Sequence, residues 1–252
     1  MVRRILTLTR CCKQSDSSDI RLAVRTAYES LVSKKTCCSS TSNLSFGCGD
    51  PTLNLGITST SNIRILDLGC GAGYDLAKVA EKLDSSSLVI GVDMTEKMLV
   101  EAQEICKKRG LQGIEFILGD IAYLPIRDSC IDAAISNCVI NLTKSKSKVF
   151  SELSRILKRS GVVVISDIVT DKRLPREYKK DSALWSRCLS GAITQNSYFK
   201  AINLSGLSAK VVSKALWKKL SNYNFYTITI LAHKKTRFQE GNAFCSSSSY
   251  SS

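Results

Sequence analysis

From Asn62 onward, short apolar runs alternate with amphipathic stretches along the chain. "IRILDLG", "SLVIGVD", "IEFILGD", "IDAAISN" and "GVVVISDIV" have the length and β-branched content of buried strands. Between them, "YDLAKVAEKL", "TEKMLVEAQEICKKRG" and "KSKVFSELSRILKR" carry apolar residues at helical spacing, and Gly110 closes the second. Strands apolar throughout, separated by helices, predict a parallel sheet covered on both faces. A further helix is predicted upstream over "IRLAVRTAYESLVS", Ile20 to Ser33.

After Asp167 the alternation stops. "LPREYKKDSALWSRCLSGA" and "NSYFKAINLSG" have helical patterning, and the first forms an insertion after the fifth strand. "SAKVVSKAL" and "NFYTITILAHKK" then read as two closing antiparallel strands. The predicted fold is α/β and Rossmann-like: a seven-stranded, mostly parallel sheet with helices on both faces. Its organisation is a flexible basic stretch over 1–20, a helix and Cys-rich loop over 21–61, a ligand-binding unit over 62–170, a substrate-side insertion with the closing strands over 171–235, and a disordered tail over 236–252.

At 252 residues the chain suits one such domain with extensions. Its apolar stretches are too short to span a bilayer, and no apolar segment follows the basic start as in a secretory signal. "MVRRILTLTR" is basic and acid-free like a transit peptide, but brief, so a cytoplasmic location is expected. The formal charge of +14 is dispersed over "KSKSK", "REYKK", "WKK" and similar runs on separate elements. Without an aromatic-interleaved basic patch, it predicts solvated helix faces rather than a nucleic-acid footprint.

Cysteine changes the picture more. There are 11, an odd number without a secretion signal and without a CxxC pair, which argues against a disulfide framework or a structural zinc. Buried packing residues, reactive thiols and soft-metal ligands remain open. The single histidine, His233, makes a Ser–His–Asp or Cys–His hydrolase improbable.

"LDLGCGAGYD", Leu66 to Asp75, leaves a strand, turns on glycine and enters a helix. Gly69, Gly71 and Gly73 permit a tight turn and close approach of a ligand to the backbone. The spacing is G-x-G-x-G, not the dinucleotide G-x-G-x-x-G, and Asp67 precedes it, placed to meet a ligand ammonium. Asp93 ends the second strand, where a carboxylate can accept ribose hydroxyls; Asp120 ends the third, beside an adenine amino group. Met94 and Ile121 follow these acids and can sandwich a purine, and Asn137 closes the fourth strand at the same edge. Acids at successive strand ends beside that loop predict S-adenosylmethionine. The same edge should carry Cys138, after the fourth strand, and Cys188, in the insertion, while the loop holding Cys48 can fold over it.

"VRTAYESLV", a following "CC", "FGCGDPT", "LDLGCGAGYD", "VIGVDMTEKML", "ISNCVINL", "ISDIV" and "CLSGA" occur in this order between about Val24 and Lys235. In them the chain resembles the arsenite S-adenosylmethionine methyltransferases, specifically the short microbial-type form. The glycine loop alone marks any class I methyltransferase, whereas "SNCVINL" with "CLSGA" and "GCGDP" is specific. The resemblance implies that Cys48, Cys138 and Cys188 hold As(III), with Cys37 and Cys38 a vicinal pair for delivery or redox exchange. It also implies arsenite or its thiol complex as substrate and a thioredoxin- or glutathione-type reductant as partner; the chain is expected to be a monomer. The chain departs from the family at "INLTKSK" and "LKRSG", where prolines are usual. Other small-molecule methyltransferases, quinone- or sterol-type, share the cofactor loop but give the three cysteines no joint task.

Overall fold

The computed structural model describes residues 6–7, 18–33, 48–56, 61–181, 184–185 and 188–235. Cys37 and Cys38 lie outside them, as do Cys11, Cys12, Cys245 and residues 236–252. The predicted strands form as β2 (Arg64–Leu68), β3 (Leu88–Asp93), β4 (Ile114–Leu118), β5 (Ile131–Asn137) and β6 (Leu157–Thr170). The closing strands are β8 (Leu207–Leu220) and β9 (Tyr223–Lys234). Helices are α1 (Ser18–Ser33), α2 (Tyr74–Ala80), α3 (Glu96–Lys108), α4 (Lys146–Ile156), α5 (Arg176–Lys180) and α6 (Gln195–Leu204).

Two further strands are two-residue pieces, β1 (Leu6–Thr7) and β7 (Ile193–Thr194). Among the described residues the sheet thus has nine strands rather than the expected seven, in the order β1-β4-β3-β2-β5-β6-β9-β8, with β7 paired to β6. β1 lies parallel to β4, with Leu6 opposite Ile117 and Thr7 opposite Leu118. Among the described strands, only β9 runs against its neighbours: it is antiparallel to both β6 and β8 and wedges between them.

Two further expectations change. α4 stops at Ile156 and β6 begins at Leu157, because Leu157 pairs with Ile131 of β5; the register then shifts, and regular pairing resumes at Val162 opposite Ala133. Among the described residues the insertion is not one continuous helix: α5 covers five residues, Leu184 and Trp185 are helical again, and Cys188–Ala192 forms turns.

β2 lies between β3 and β5, and the sheet order reverses there. Ile65, Leu66 and Leu68 of β2 are completely buried, with layers packed on both sides of the sheet. In doubly wound sheets the ligand crevice opens at the carboxyl ends of strands at such a reversal. Both the glycine loop after β2 and Cys138 after β5 therefore emerge at that crevice.

Candidate active site

One side of the crevice is the cofactor cradle. Asp67, Gly71, Asp93, Met94, Asp120 and Ile121 line one pocket, which extends past Asn137 to Cys138. Gly69 has φ +66°, and a Cβ there would collide with the side chain of Val139, the residue after Cys138. The loop thus turns tightly while packing directly on the cysteine segment. Around Gly71 a Cβ would meet nothing within 4 Å, leaving its backbone free to touch a ligand.

The carboxylates organise this cradle and charge it. Asp93 accepts from Gly71 N–H at 3.0 Å and Thr95 N–H at 2.8 Å, so it ties the loop to the end of β3 while still facing the pocket. Asp120 accepts from Ala122 N–H at 2.8 Å in the same way at the end of β4. Burial pushes the Asp67 carboxyl well above its ordinary range, and the nearby charges of Asp75 and Asp93 push it further. Burial likewise raises Asp93, against the hydrogen bonds it accepts. A cationic ligand relieves this crowding of negative charge. The ammonium and sulfonium of S-adenosylmethionine fit that donor set, and the open glycine loop fits its close approach.

On the other side the thiols meet. Cys48 and Cys138 are joined as a disulfide, with Cα atoms 5.8 Å apart across 90 residues of sequence. The Cys188 thiol donates to the Cys138 carbonyl at 2.8 Å. Cys138 and Cys188 are buried in an apolar cluster with Ile168, Leu174 and Phe225, and Cys48 packs against it. Both buried cysteines have left-handed backbone, φ +55° and +60°. For non-glycine residues such conformations cost about 1–3 kcal/mol each and concentrate at functional sites. Close approach of the "CLSG" turn depends on Gly191, where a Cβ would strike the Asn141 carbonyl.

Asp167 and Lys146 are both buried, and the charge of each acts on the other. Asp167 accepts from Ile168 N–H at 2.9 Å and from the Tyr198 hydroxyl at 3.1 Å, and also from Asn141 N–H. These donors come from β6, α6 and the cysteine turn, so one carboxylate binds three elements together. Burial raises Asp167 to about 6, with the charge of Lys146 opposing the shift. Burial lowers Lys146 to about 8, with Asp167 opposing. An unfolded Asp titrates near 3.8, so between pH 4 and 6 the folded state holds an extra proton. Asp167 therefore favours folding at low pH and loses that contribution as pH rises through this window. Urea unfolding of wild type and Asp167→Asn should show the wild type's relative stability falling between pH 4 and 6; a constant difference would place the carboxyl at its ordinary value.

Sequence reasoning missed several residues. Tyr28 and Val24 of α1 line the cofactor pocket, as does Asp75. Burial pushes the Tyr28 hydroxyl upward, and the charges of Cys188, Asp93 and Asp167 add to the shift. Its only signal was an aromatic residue on the apolar face of α1. Asn137 faces the pocket, yet its amide is engaged by Cys48 N–H, Gly49 C=O and Asp75. His233 pairs with Val162 at the amino end of β6, away from the crevice. Among the described residues, no helix is long and apolar enough to cross a membrane.

This sheet order, with the glycine cradle and strand-end acids at its reversal, defines a class I methyltransferase whose cofactor is S-adenosylmethionine. A methyltransferase-domain family model matches residues 59–236. Arsenite methyltransferase of Halobacterium salinarum is 35% identical over 167 residues, 66% of this chain and 42% of that protein. The human arsenite methyltransferase is 36% identical over 141 residues, 52% of this chain and 38% of that one. The chain thus spans less than half the length of either. The crystal structure of an arsenic (III) S-adenosylmethionine methyltransferase from Chlamydomonas reinhardtii superposes with a TM-score of 0.66 at 30% identity, covering 85% of this chain and 74% of that one. The chain belongs to the arsenite methyltransferase family.

Proposed function

We propose that this chain methylates trivalent arsenic, delivered as arsenite or a thiol complex, at a site formed by Cys48, Cys138 and Cys188. The observation that carries the reading is their meeting at the sheet edge that holds the cofactor cradle, with Val139 packed against Gly69. We further propose that it works as a monomer in the cytoplasm, in arsenic detoxification.

The chemistry follows from the residues. As(III) is soft and thiophilic, and three thiolates satisfy its trigonal-pyramidal preference. Each thiol displaces one hydroxide from arsenite, and the thiol proton leaves with that hydroxide as water. No side-chain base is required, in keeping with a lone histidine remote from the crevice. S-Adenosylmethionine supplies an electrophilic methyl group on sulfur. Cradle and cysteine turn fix the approach, so positioning provides much of the rate.

Methyl transfer to the arsenic lone pair leaves arsenic pentavalent. Closing the Cys48–Cys138 disulfide breaks two As–S bonds and returns two electrons to arsenic; a water or a solvent thiol fills the vacated position, losing a proton, and leaves trivalent methylarsenic on Cys188. A thioredoxin- or glutathione-type dithiol or thiol pair then reduces that disulfide, being oxidised itself. Incubating the chain with arsenite, thiol and S-adenosylmethionine should produce methylarsenicals on speciation. Bound cofactor with no methylated arsenic, or turnover on a quinone or sterol instead, would defeat this assignment.

A further inference from the structure

Asn137 does more than border the cofactor pocket. Its Oδ1 accepts from Cys48 N–H at 3.0 Å, and its Nδ2 donates to Gly49 C=O at 3.0 Å and Asp75 Oδ2 at 2.7 Å. All three contacts are long-range, and they commit both amide hydrogens and the carbonyl oxygen to two neighbours: the loop bearing Cys48 and the helix that opens after the glycine cradle. A second link runs in parallel. Lys78 Nζ bonds Asp50 Oδ2 at 3.0 Å and Asp75 Oδ1 at 3.3 Å. Asp50 in turn caps the following helical turn through Thr52 N–H at 3.0 Å.

Asp75 is the shared member. One carboxylate oxygen holds Asn137 and the other holds Lys78, while the residue lines the pocket next to Asp67. Its charge also acts on Asp67, which is completely buried in the cradle. A cation bound among Asp67, Asp75 and Asp93 therefore pulls on the same carboxylate that orients Asn137. Through Asn137 that pull reaches the backbone on both sides of the Cys48 α-carbon.

We infer that Asn137, Asp75 and Lys78 form a clamp through which occupancy of the cofactor pocket sets the position of the Cys48 thiol. The inference rests on the functional reading above for its purpose, since it makes the thiol site form when the methyl donor is present. Asn137 and Lys78 are positioning residues: neither needs to touch arsenic. By linkage the coupling runs both ways, so filling the thiol site tightens cofactor binding by the same factor.

The test uses the full chain with its disulfide reduced. Alkylation of Cys48 by iodoacetamide is followed by mass spectrometry with and without S-adenosylhomocysteine, and arsenite binding is titrated under the same two conditions. In wild type the cofactor product should change the Cys48 alkylation rate, and the arsenite affinity, by at least about 5-fold. Lys78→Met should shrink that ratio; the Lys78 side chain is 46% exposed, so this variant keeps its fold. Asn137→Ala, compared at S-adenosylhomocysteine concentrations that saturate the variant by its own titration, should bring the ratio to about one. A wild-type rate indifferent to S-adenosylhomocysteine, or a ratio that survives in Asn137→Ala, overturns the clamp. Coupled alkylation without any arsenite binding would uphold the clamp and refute arsenic as the substrate.

Discussion

Replacing Cys138 with serine is expected to lower arsenic methylation by at least about 100-fold, the scale set by losing the alignment of reacting groups. Serine keeps the side-chain size and tolerates the left-handed φ of +55° no worse than cysteine, so the turn survives. What disappears is a soft ligand, since a hydroxyl is a poor partner for As(III). The disulfide to Cys48 disappears with it, and so does the internal source of electrons. Cys188→Ser makes the matched comparison. A serine there can still donate to the Cys138 carbonyl, now met by a thiol at 2.8 Å, so its loss of activity also reports on ligation rather than folding. Speciation of products, together with the thermal midpoint of each variant, checks both. Wild-type turnover in Cys138→Ser would remove this residue from the mechanism.

Gly69→Ala should be nearly as damaging, through the cofactor. The added methyl forces a left-handed alanine at φ +66° and drives into Val139. Left-handed strain and overpacking together cost about 2–5 kcal/mol, which the loop can escape only by moving out of its cradle. S-Adenosylhomocysteine binding, measured by titration, should weaken 30-fold or more, about 2 kcal/mol at the least. Gly110→Ala is the control: it shares a φ of +66° but meets no atom within 4 Å. Gly110→Ala should lose some stability and no affinity. If Gly69→Ala binds as that control does, the contact between cradle and cysteine turn is unimportant.

Much of this was legible in the sequence, for physical reasons. Buried parallel strands must be apolar throughout, so β2 to β6 stand out, and the acids and glycines at their ends stand out against them. "IDAAISN" coincides with β5 because nothing local competes with it. What the insertion's sequence did not reveal is the turn at "CLSGA", because Gly191 and the left-handed Cys188 make it only where Asn141 packs against them. β9's insertion between β6 and β8 is set by pairing over long separations, which no window of sequence contains. Asn137 shows the same limit at the site. Its identity is plain in "SNC", but its bonds to Cys48 and Asp75 reach across 89 and 62 residues.

The bridge between Cys48 and Cys138 closes a span of 90 residues that contains β2, β3, β4, β5 and the helices among them. A covalent tie of that reach restricts the unfolded chain far more than the folded one. The oxidised protein is accordingly the harder to unravel, and the reduction that readies the thiols for a new substrate also unties the half of the sheet that grips the cofactor. Each catalytic cycle, on the proposed chemistry, passes through its loosest covalent form at the moment of substrate entry.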